Sequence, residues 1–190
     1  MKKINIGCGL DVKKYWDNLD THNKNGANII WDLNNLPLPF ENNIYDYVLC
    51  SHVIEDWTNP ILIIKELIRI CKIEGKIEIR VPHERSANAW GSIAHKKAFN
   101  VETLTSFLSG KKDYKNNEYY LPVELISCIC YSNLNWNNKI VAIYKYINIR
   151  IRNAFGLSIE RVPFFRNIST PDMSIKCIYK KVAPFTRDKN

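Results

Sequence analysis

Two glycines flank a cysteine directly after the first apolar run of the chain. The stretch "INIGCGL" places Gly7, Cys8 and Gly9 at the end of a short apolar segment. Glycine has no Cβ and tolerates positive φ, so a turn of this kind lets the backbone approach a bound ligand closely. The match to a dinucleotide site is weak, because that fingerprint has a third glycine three positions on and an acid about 20 residues later. Here position 12 is Val, and Asp20 follows Gly9 by only eleven residues.

The elements that must position this turn alternate between strands and helices. Predicted strands lie in "KINIG", "WDNLD", "ANIIWDL", "YDYVLCSHV", "KIEIRVP", "VELISCICY" and "MSIKCIYKKV". The clearest helix is predicted in "TNPILIIKELIRICKIEGK", with Thr58 or Asn59 as its cap, Pro60 in its first turn and Gly75 at its end. A shorter helix is predicted in "VETLTSFLSG". This alternation favours an α/β fold, with helices packed on a mostly parallel sheet.

Four stretches in this order resemble the motifs of class I S-adenosylmethionine (SAM) dependent methyltransferases, in particular short forms similar to methyltransferase type 11. The stretch "INIGCG" resembles the first motif and "WDNLD" the second strand with its acid. The run "WDLNNLPLPFENNIYDYVLCSHVIEDW" resembles the segment through the fourth strand, and "RICKIEGKIEIRVP" the following helix, glycine turn and fifth strand. The resemblance is close over residues 4–83. It implies one methyltransferase domain over residues 1–190, with a Rossmann-like three-layer α/β sandwich, an antiparallel C-terminal strand and no N-terminal helices.

The resemblance also implies a cofactor, SAM, and a product, S-adenosyl-L-homocysteine. The glycine turn would line the methionine end of SAM, Asp20 would accept from the ribose hydroxyls, and Asp32 with Leu33 would meet the adenine. Ser51 and His52 would border the sulfonium. Carboxylates suit this ligand because SAM carries no phosphates and offers hydroxyl and amine donors. Without a ligand, Asp20 is a turn residue and Asp32 caps a turn. The implied cofactor-binding residues are Gly7, Cys8, Gly9, Asp20, Asp32, Leu33, Ser51 and His52.

Three histidines are candidates for a catalytic base. Methyl transfer from a sulfonium is a direct displacement that depends mainly on alignment, and a base helps when the acceptor must lose a proton. His52 and His83 follow the fourth and fifth predicted strands, and His95 lies in the loop "WGSIAHKKAFN", which would close over the site. An isolated histidine is more often structural or solvated. Glu55 and Asp56 either touch substrate or favour the nearby helix N-terminus electrostatically.

The net charge of +8 comes entirely from the C-terminal part of the chain. Residues 1–138 carry 16 basic and 16 acidic side chains, whereas residues 139–190 carry 11 and 3. The stretch "NKIVAIYKYINIRIRNAFG" predicts a helix with Lys139, Lys145, Arg150 and Arg152 on its polar face, although "YINIRIR" alone alternates as a strand would. This face is either solvated or part of a cap that attracts an anionic acceptor or rests on an anionic membrane. We expect residues 84–122 and 139–170 to cover the substrate.

Composition limits the remaining choices. The six cysteines form no C-x-x-C pair, and with no signal peptide or long apolar run they indicate reduced thiols in a cytoplasmic protein, without a metal site. Cys128 and Cys130, two residues apart in a predicted strand, should share one face.

The sequence therefore predicts a SAM-dependent methyltransferase that acts on a small-molecule, glycan or lipid-linked acceptor, which the basic region would suit if it is anionic. Two alternatives stay open: a non-catalytic module of the same fold with a basic docking region, and an RNA methyltransferase. Nucleic acid is the less favoured partner because no RNA-binding or DNA-binding module is recognisable. Peripheral membrane contact is a further open partner, and the sequence does not fix the acceptor atom or the oligomeric state.

Overall fold

Seven strands form one sheet in the order β3–β2–β1–β4–β5–β7–β6. The computed structural model describes residues 1–23, 26–108, 121–132 and 173–183. The strands are β1 (Lys3–Ile6), β2 (Asp17–Asp20), β3 (Ile29–Ile30), β4 (Tyr45–Ser51), β5 (Cys71–Pro82), β6 (Val123–Ser132) and β7 (Met173–Lys181). Strands β1 to β5 pair in parallel, and β7 lies antiparallel between β5 and β6. The predicted α/β sheet with one antiparallel C-terminal strand is confirmed.

Three α-helices are described: α1 (Pro60–Ile70), α2 (Ala87–Trp90) and α3 (Val101–Leu108). A short 3-10 helix (Ile54–Asp56) lies between β4 and α1. Residues 7–16, between β1 and β2, contain no α-helix, and the same holds for the described residues between β2 and β3. This agrees with the expectation that the N-terminal helices are missing. Asn59 occupies the cap position of α1 without a side-chain capping bond, and Pro60 begins the helix as predicted.

The prediction that α1 ends at Gly75 is wrong, because the helix ends at Ile70. Cys71 is already extended and pairs with Tyr45 of β4. The strand therefore begins at a residue that the apolar pattern of the sequence still assigns to the helix. Gly75 instead lies within β5, where a Cβ atom would approach the Cys71 Sγ to 2.7 Å and the carbonyl oxygen of Lys72 to 2.8 Å. The glycine therefore permits close packing at the start of β5.

Helices α1 and α3 pack on the same face of the sheet. Ile77, Ile79 and Val81 alternate along β5 and are buried in the core that includes the apolar side of α1. Tyr179 lies opposite Ile77 in register, and its hydroxyl donates to the carbonyl oxygen of Leu104 in α3 at 2.8 Å. The core of the described residues therefore lies between one sheet face and these two helices.

The other sheet face carries polar and aromatic side chains. Tyr47 donates a hydrogen bond to the buried carboxylate of Glu78, which also accepts from Arg80 at 2.5 Å. Trp16 packs edge-on against Tyr47 with ring centroids 5.6 Å apart. This contact brings the connection between β1 and β2 onto the face where the described residues place neither α1 nor α3.

None of the six cysteines, all of which lie within the described ranges, forms a disulfide bond. Cys128 and Cys130 face the same side of the sheet, as predicted, since they lie opposite Cys177 and Ile175 of β7. The Sγ atoms of Cys128 and Cys177 are 2.8 Å apart. No helix in the described ranges is long and apolar enough to cross a bilayer.

Part of the sequence-based prediction lies outside the described residues. This applies to the helix expected in "NKIVAIYKYINIRIRNAFG", to the whole of the segment 139–170, and to positions 109–120 of the segment 84–122.

A lysine of β7 binds the carboxyl end of α1. The buried Nζ of Lys181 donates to the carbonyl oxygens of Ile68 and Cys71, at 2.7 Å and 2.8 Å, and to Oδ1 of Asn43 at 2.7 Å. A helix leaves its last four carbonyl groups without intrahelical partners, and a cation near this end also favours the helix dipole. Burial lowers the pKa of Lys181. The ammonium group therefore joins the last strand of the sheet to the end of its main helix.

We expect Lys181→Met to destabilise the protein by about 2 kcal/mol or more, because buried carbonyl oxygens would lose a charged donor. Urea unfolding followed by circular dichroism measures the change. Lys180→Met is the matched control, because among the described residues the Lys180 ammonium pairs only with the surface carboxylates of Glu74 and Glu124, both at 3.3 Å. This substitution should cost much less. Equal losses in the two variants would contradict the role given to Lys181.

Candidate functional site

The carboxyl ends of the parallel strands bring most of the predicted site residues to one edge of the sheet. Gly7 follows β1, Asp20 ends β2, Asp32 comes two residues after β3, Ser51 ends β4, and His83 follows β5. Ligands of open α/β sheets bind outside this edge. The predicted site residues named above therefore lie at the edge of the sheet where a ligand is expected.

The glycine turn adopts the backbone conformation that its sequence indicates. Gly7 and Gly9 have φ values of +64° and +50°. A Cβ on Gly7 would lie 2.4 Å from the Val53 Cγ2, so the turn after β1 packs tightly on the turn after β4. A Cβ on Gly9 would meet no atom of the described residues within 4 Å. The backbone at Gly9 therefore has open space beside it.

Asp20 is bonded directly to this turn. Its Oδ2 accepts from the backbone N–H of Gly9 at 2.8 Å, and its Oδ1 lies 3.4 Å from the backbone nitrogen of His22. The backbone N–H of Cys8 also donates to the carbonyl oxygen of Leu19, at 3.0 Å. The half-buried carboxylate keeps further acceptor capacity, because a carboxylate has about four lone-pair positions.

Two asparagines hold down the loop that carries the glycine turn. Asn5 of β1 and Asn18 of β2 are register partners, and both are buried. The Asn5 Nδ2 donates to the carbonyl oxygen of Asp11 at 2.8 Å. The Asn18 Oδ1 accepts from the backbone N–H of Lys13 at 2.8 Å, and its Nδ2 donates to the carbonyl oxygens of Lys13 and Trp16, both at 2.9 Å. These bonds satisfy backbone groups of a connection that has no helix to do so.

The pairing of β2 with β3 brings Asp32 near Asp20, but the Asp32 side chain also forms hydrogen bonds within its own turn. The Trp31 backbone N–H donates to the carbonyl oxygen of Asp20 at 3.0 Å, which holds the end of β3 beside the end of β2. The Asp32 Oδ1 accepts from the backbone N–H and from the Nδ2 of Asn34, both at 2.9 Å. Leu33 is half-buried against the core. The turn-capping alternative for Asp32 is thus present in the structure, and its Oδ2 is the oxygen left for a ligand.

Cys8 contributes its backbone to the turn rather than a reactive side chain. Its thiol is buried. Burial, together with the nearby Asp20 carboxylate, raises the pKa of the Cys8 thiol. The side chain therefore stays neutral and packs as a small apolar group.

Two histidine and carboxylate pairs follow β4. The His52 Nδ1 lies 3.4 Å from Oε1 of Glu55, whose side chain is 1% exposed. The His95 Nε2 lies 3.8 Å from Oδ1 of Asp56. Burial, and secondly the charge of Glu55, raises the pKa of Asp56. The backbone N–H groups of Lys96 and Lys97 donate to the carbonyl oxygen of Glu55 at 2.7 Å and 3.0 Å, which draws His95 to this place.

His83 is placed differently from the other two candidates. Its side chain is fully buried, and its Nδ1 accepts from the backbone N–H of Arg85 at 3.1 Å. The adjacent Glu84 accepts from the Nδ2 of Asn100 at 3.2 Å. This bond links the residue after His83 to the residue before α3.

Three residues near this edge gain importance that the sequence pattern did not give them. The sequence pattern places Asn5 and Asn18 in short predicted strands and gives neither a role in holding a loop. The signal that could have found them is a polar residue at a buried position of two adjacent strands. Glu55 was considered only for its effect on the helix N-terminus or a contact with substrate, whereas the fold buries it. A depression of about 620 Å³ lies at the opposite edge, lined by residues that include Met1, Asp46 and Lys72, and contains none of the predicted site residues.

Comparison with known proteins identifies a methyltransferase domain over residues 5–79. The sequence matches none of the curated proteins significantly. A Bacillus halodurans protein proposed to be a methyltransferase is 14% identical, with 96% of this chain and 93% of that chain covered and a TM-score of 0.57. A SAM-dependent methyltransferase from Archaeoglobus fulgidus is 18% identical, with 95% and 86% covered and a TM-score of 0.55. A Galdieria sulphuraria protein proposed to be a sarcosine dimethylglycine methyltransferase is 15% identical, with 97% and 78% covered and a TM-score of 0.55.

The two glycines of the turn should differ in their tolerance of alanine. Both substitutions place a Cβ in left-handed backbone, which costs roughly 1–2 kcal/mol, but only Gly7→Ala also meets Val53. We therefore expect Gly7→Ala to lower the free energy of unfolding clearly more than Gly9→Ala. Urea unfolding of the two variants measures this difference, and a larger loss for Gly9→Ala would contradict the geometry described.

Proposed function

We propose that this chain is a SAM-dependent methyltransferase of class I and that it transfers the methyl group by direct displacement to a small-molecule, glycan or lipid-linked acceptor. The family match over residues 5–79 and the seven-stranded sheet support the enzyme class and its cofactor. The acceptor and the binding residues are our proposal. The observation that supports the proposed binding residues is the hydrogen bond from the Gly9 N–H to the Asp20 carboxylate at the carboxyl edge of the sheet.

The residues at this edge fit the chemistry of SAM. Asp20 offers carboxylate oxygens to a pair of hydroxyls, which matches the ribose, and its bond to Gly9 N–H fixes it beside the glycine turn. The open space beside Gly9 admits a ligand close to the backbone, where a side chain would intrude. We assign the methionine end of SAM to the turn formed by Gly7, Cys8 and Gly9. None of these residues has to bind a phosphate group, because SAM carries none.

The adenine and the reactive end follow from the order of the strands. Asp32 and Leu33 lie beyond β3 and would contact the adenine, with the Asp32 Oδ2 as the acceptor for its amine. Ser51 and His52 lie beyond β4, next to the turn after β1, and would border the sulfonium. The contact between Gly7 and Val53 supports this arrangement, since it places the two turns against each other.

Bound SAM supplies an electrophilic methyl carbon, and the chain must align an acceptor with it. His52 and His95 stand beside carboxylates at the proposed reactive end and are our candidates for proton acceptor, with the buried His83 behind them. The bonds from Lys96 and Lys97 to Glu55 draw part of the segment 84–122 over this place. They support the proposal that this segment covers the substrate and helps to exclude water.

The class of the acceptor is supported by chemistry and by one fold neighbour. The proposed reactive end carries polar and ionisable side chains, which suit a polar acceptor. The proposed activity of the neighbour from Galdieria sulphuraria is methyl transfer with a small amino acid, since it is described as a sarcosine dimethylglycine methyltransferase. A small polar acceptor is therefore favoured over RNA for this chain, and the basic residues 139–190 would suit an anionic one.

Calorimetric titration with SAM tests the binding site. We expect Asp20→Asn to weaken SAM binding about ten- to a hundredfold, because hydrogen bonds to a charged group contribute about 1.5–3 kcal/mol and the amide keeps the shape of the side chain. Asp17→Asn is the matched control, since Asp17 lies at the other end of β2 and accepts from the Tyr45 hydroxyl. Equal weakening by the two changes, or no binding by the unaltered protein, would contradict the proposal.

Transfer of a radiolabelled methyl group from SAM tests the acceptor class. We expect the protein to label a small-molecule, glycan or lipid fraction of a cell extract and to leave purified RNA unlabelled. The Asp20→Asn variant should label less at limiting SAM. Salt-sensitive labelling of RNA would instead support an RNA methyltransferase, because phosphate contacts weaken steeply with salt.

A further inference from the structure

The carboxylate of Glu55 is buried and is not hydrogen bonded within the described residues. Its side chain is 1% exposed, and neither Oε1 nor Oε2 has a hydrogen-bond partner there. An ionised carboxylate without a partner costs several kcal/mol to bury. Within the described residues the ion-pair contact of this carboxylate is with the His52 ring, whose Nδ1 lies 3.4 Å from Oε1, an electrostatic contact rather than a hydrogen bond. A proton on Nδ1 of His52 is therefore the natural counterpart of this acid.

The backbone fixes His52 in the position that this contact requires. His52 has a φ of +56°, a left-handed conformation that costs a residue with a Cβ energy and is more frequent at functional sites. Its backbone N–H donates to the carbonyl oxygen of Arg80 at 2.9 Å, which anchors the turn to β5. The side chain is 43% exposed. The imidazole is therefore partly accessible to solvent.

The other two histidines of the edge are engaged differently. The His95 side chain is only 16% exposed, with Nδ1 at 3.1 Å from the carbonyl oxygen of Ala89 and Nε2 at 3.8 Å from Asp56. His83 is fully buried. Among the three candidates, His52 alone has an exposed side chain with one ring nitrogen close to a buried carboxylate.

We propose that Glu55 is a positioning residue whose negative charge, 3.4 Å from Nδ1, favours the neutral His52 tautomer that is protonated on Nδ1 and so leaves Nε2 as the proton acceptor for the methyl acceptor. This inference rests on the proposed methyltransferase function. With SAM bound, the acceptor oxygen would bond to the methyl carbon while the carbon–sulfur bond breaks with its electron pair going to sulfur, and the hydroxyl proton would pass to Nε2 of His52. The Glu55 carboxylate then faces the resulting imidazolium. The pair suits an acceptor that must lose a proton, such as a hydroxyl.

The tautomer of His52 is measurable without the acceptor. The protein is labelled with ¹⁵N-histidine and studied by long-range proton–nitrogen correlation spectra, at a pH about two units above that at which free histidine titrates. His52→Gln assigns the resonance. We expect His52 to carry its proton on Nδ1 in the unaltered protein, and to shift toward the Nε2-protonated tautomer of free histidine in Glu55→Leu.

Two further variants and one titration complete the experiment. Asp56→Asn is the matched control, because Asp56 pairs with His95 and should leave the tautomer of His52 unchanged. Glu55→Gln keeps the shape of the side chain if Glu55→Leu fails to fold, and should weaken the preference for protonated Nδ1. A His52 protonated on Nε2 in the unaltered protein, or one that ignores both Glu55 variants, would overturn the inference. Calorimetry with SAM on the same samples separates this from a failure of the proposed function, which would appear as loss of SAM binding in the unaltered protein.

Discussion

Parallel pairing of β2, β1 and β4 is the constraint on which the rest of the site depends. Parallel strands all end at the same edge, so the turns after them must share one small volume. The bond from Gly9 to Asp20 and the contact between Gly7 and Val53 are direct results of this pairing. The pairing of β1 with β2 places the glycine turn beside Asp20, and the pairing of β1 with β4 places it beside Val53.

The connection between β1 and β2 shows how the fold manages without a helix at this place. A helix would satisfy its own backbone groups, whereas a loop needs external partners. Asn5 and Asn18 supply these partners from adjacent strands, and Trp16 covers Tyr47 beside them. The glycine turn is thereby held on a short loop whose hydrogen bonds come from the sheet itself. Lys181 makes a comparable link on the other face, where it binds the end of α1.

Burial of Glu55 is the least favourable feature of the site and the most informative one. The core gains nothing from an acid at this position, since an apolar side chain of similar size would avoid the desolvation cost. The same acid binds the segment around His95 through its backbone carbonyl and faces His52 with its side chain. Such a placement is typical of residues that serve chemistry more than stability.

The sequence by itself determined the order of the elements, the α/β class, and the position of Gly7, Gly9, Asp20 and His52 at strand ends, because these follow from local periodicity and from residue conformational preferences. The antiparallel last strand was expected only from the resemblance to class I methyltransferases. It did not determine the end of α1, since the pairing of Cys71 with Tyr45 is a contact between distant residues that overrides a continuous helical pattern. The burial of Glu55, the loop held by Asn5 and Asn18, and the buried ammonium of Lys181 were likewise decided only by the tertiary structure. Each depends on which strands become neighbours, and a local pattern carries no information about that.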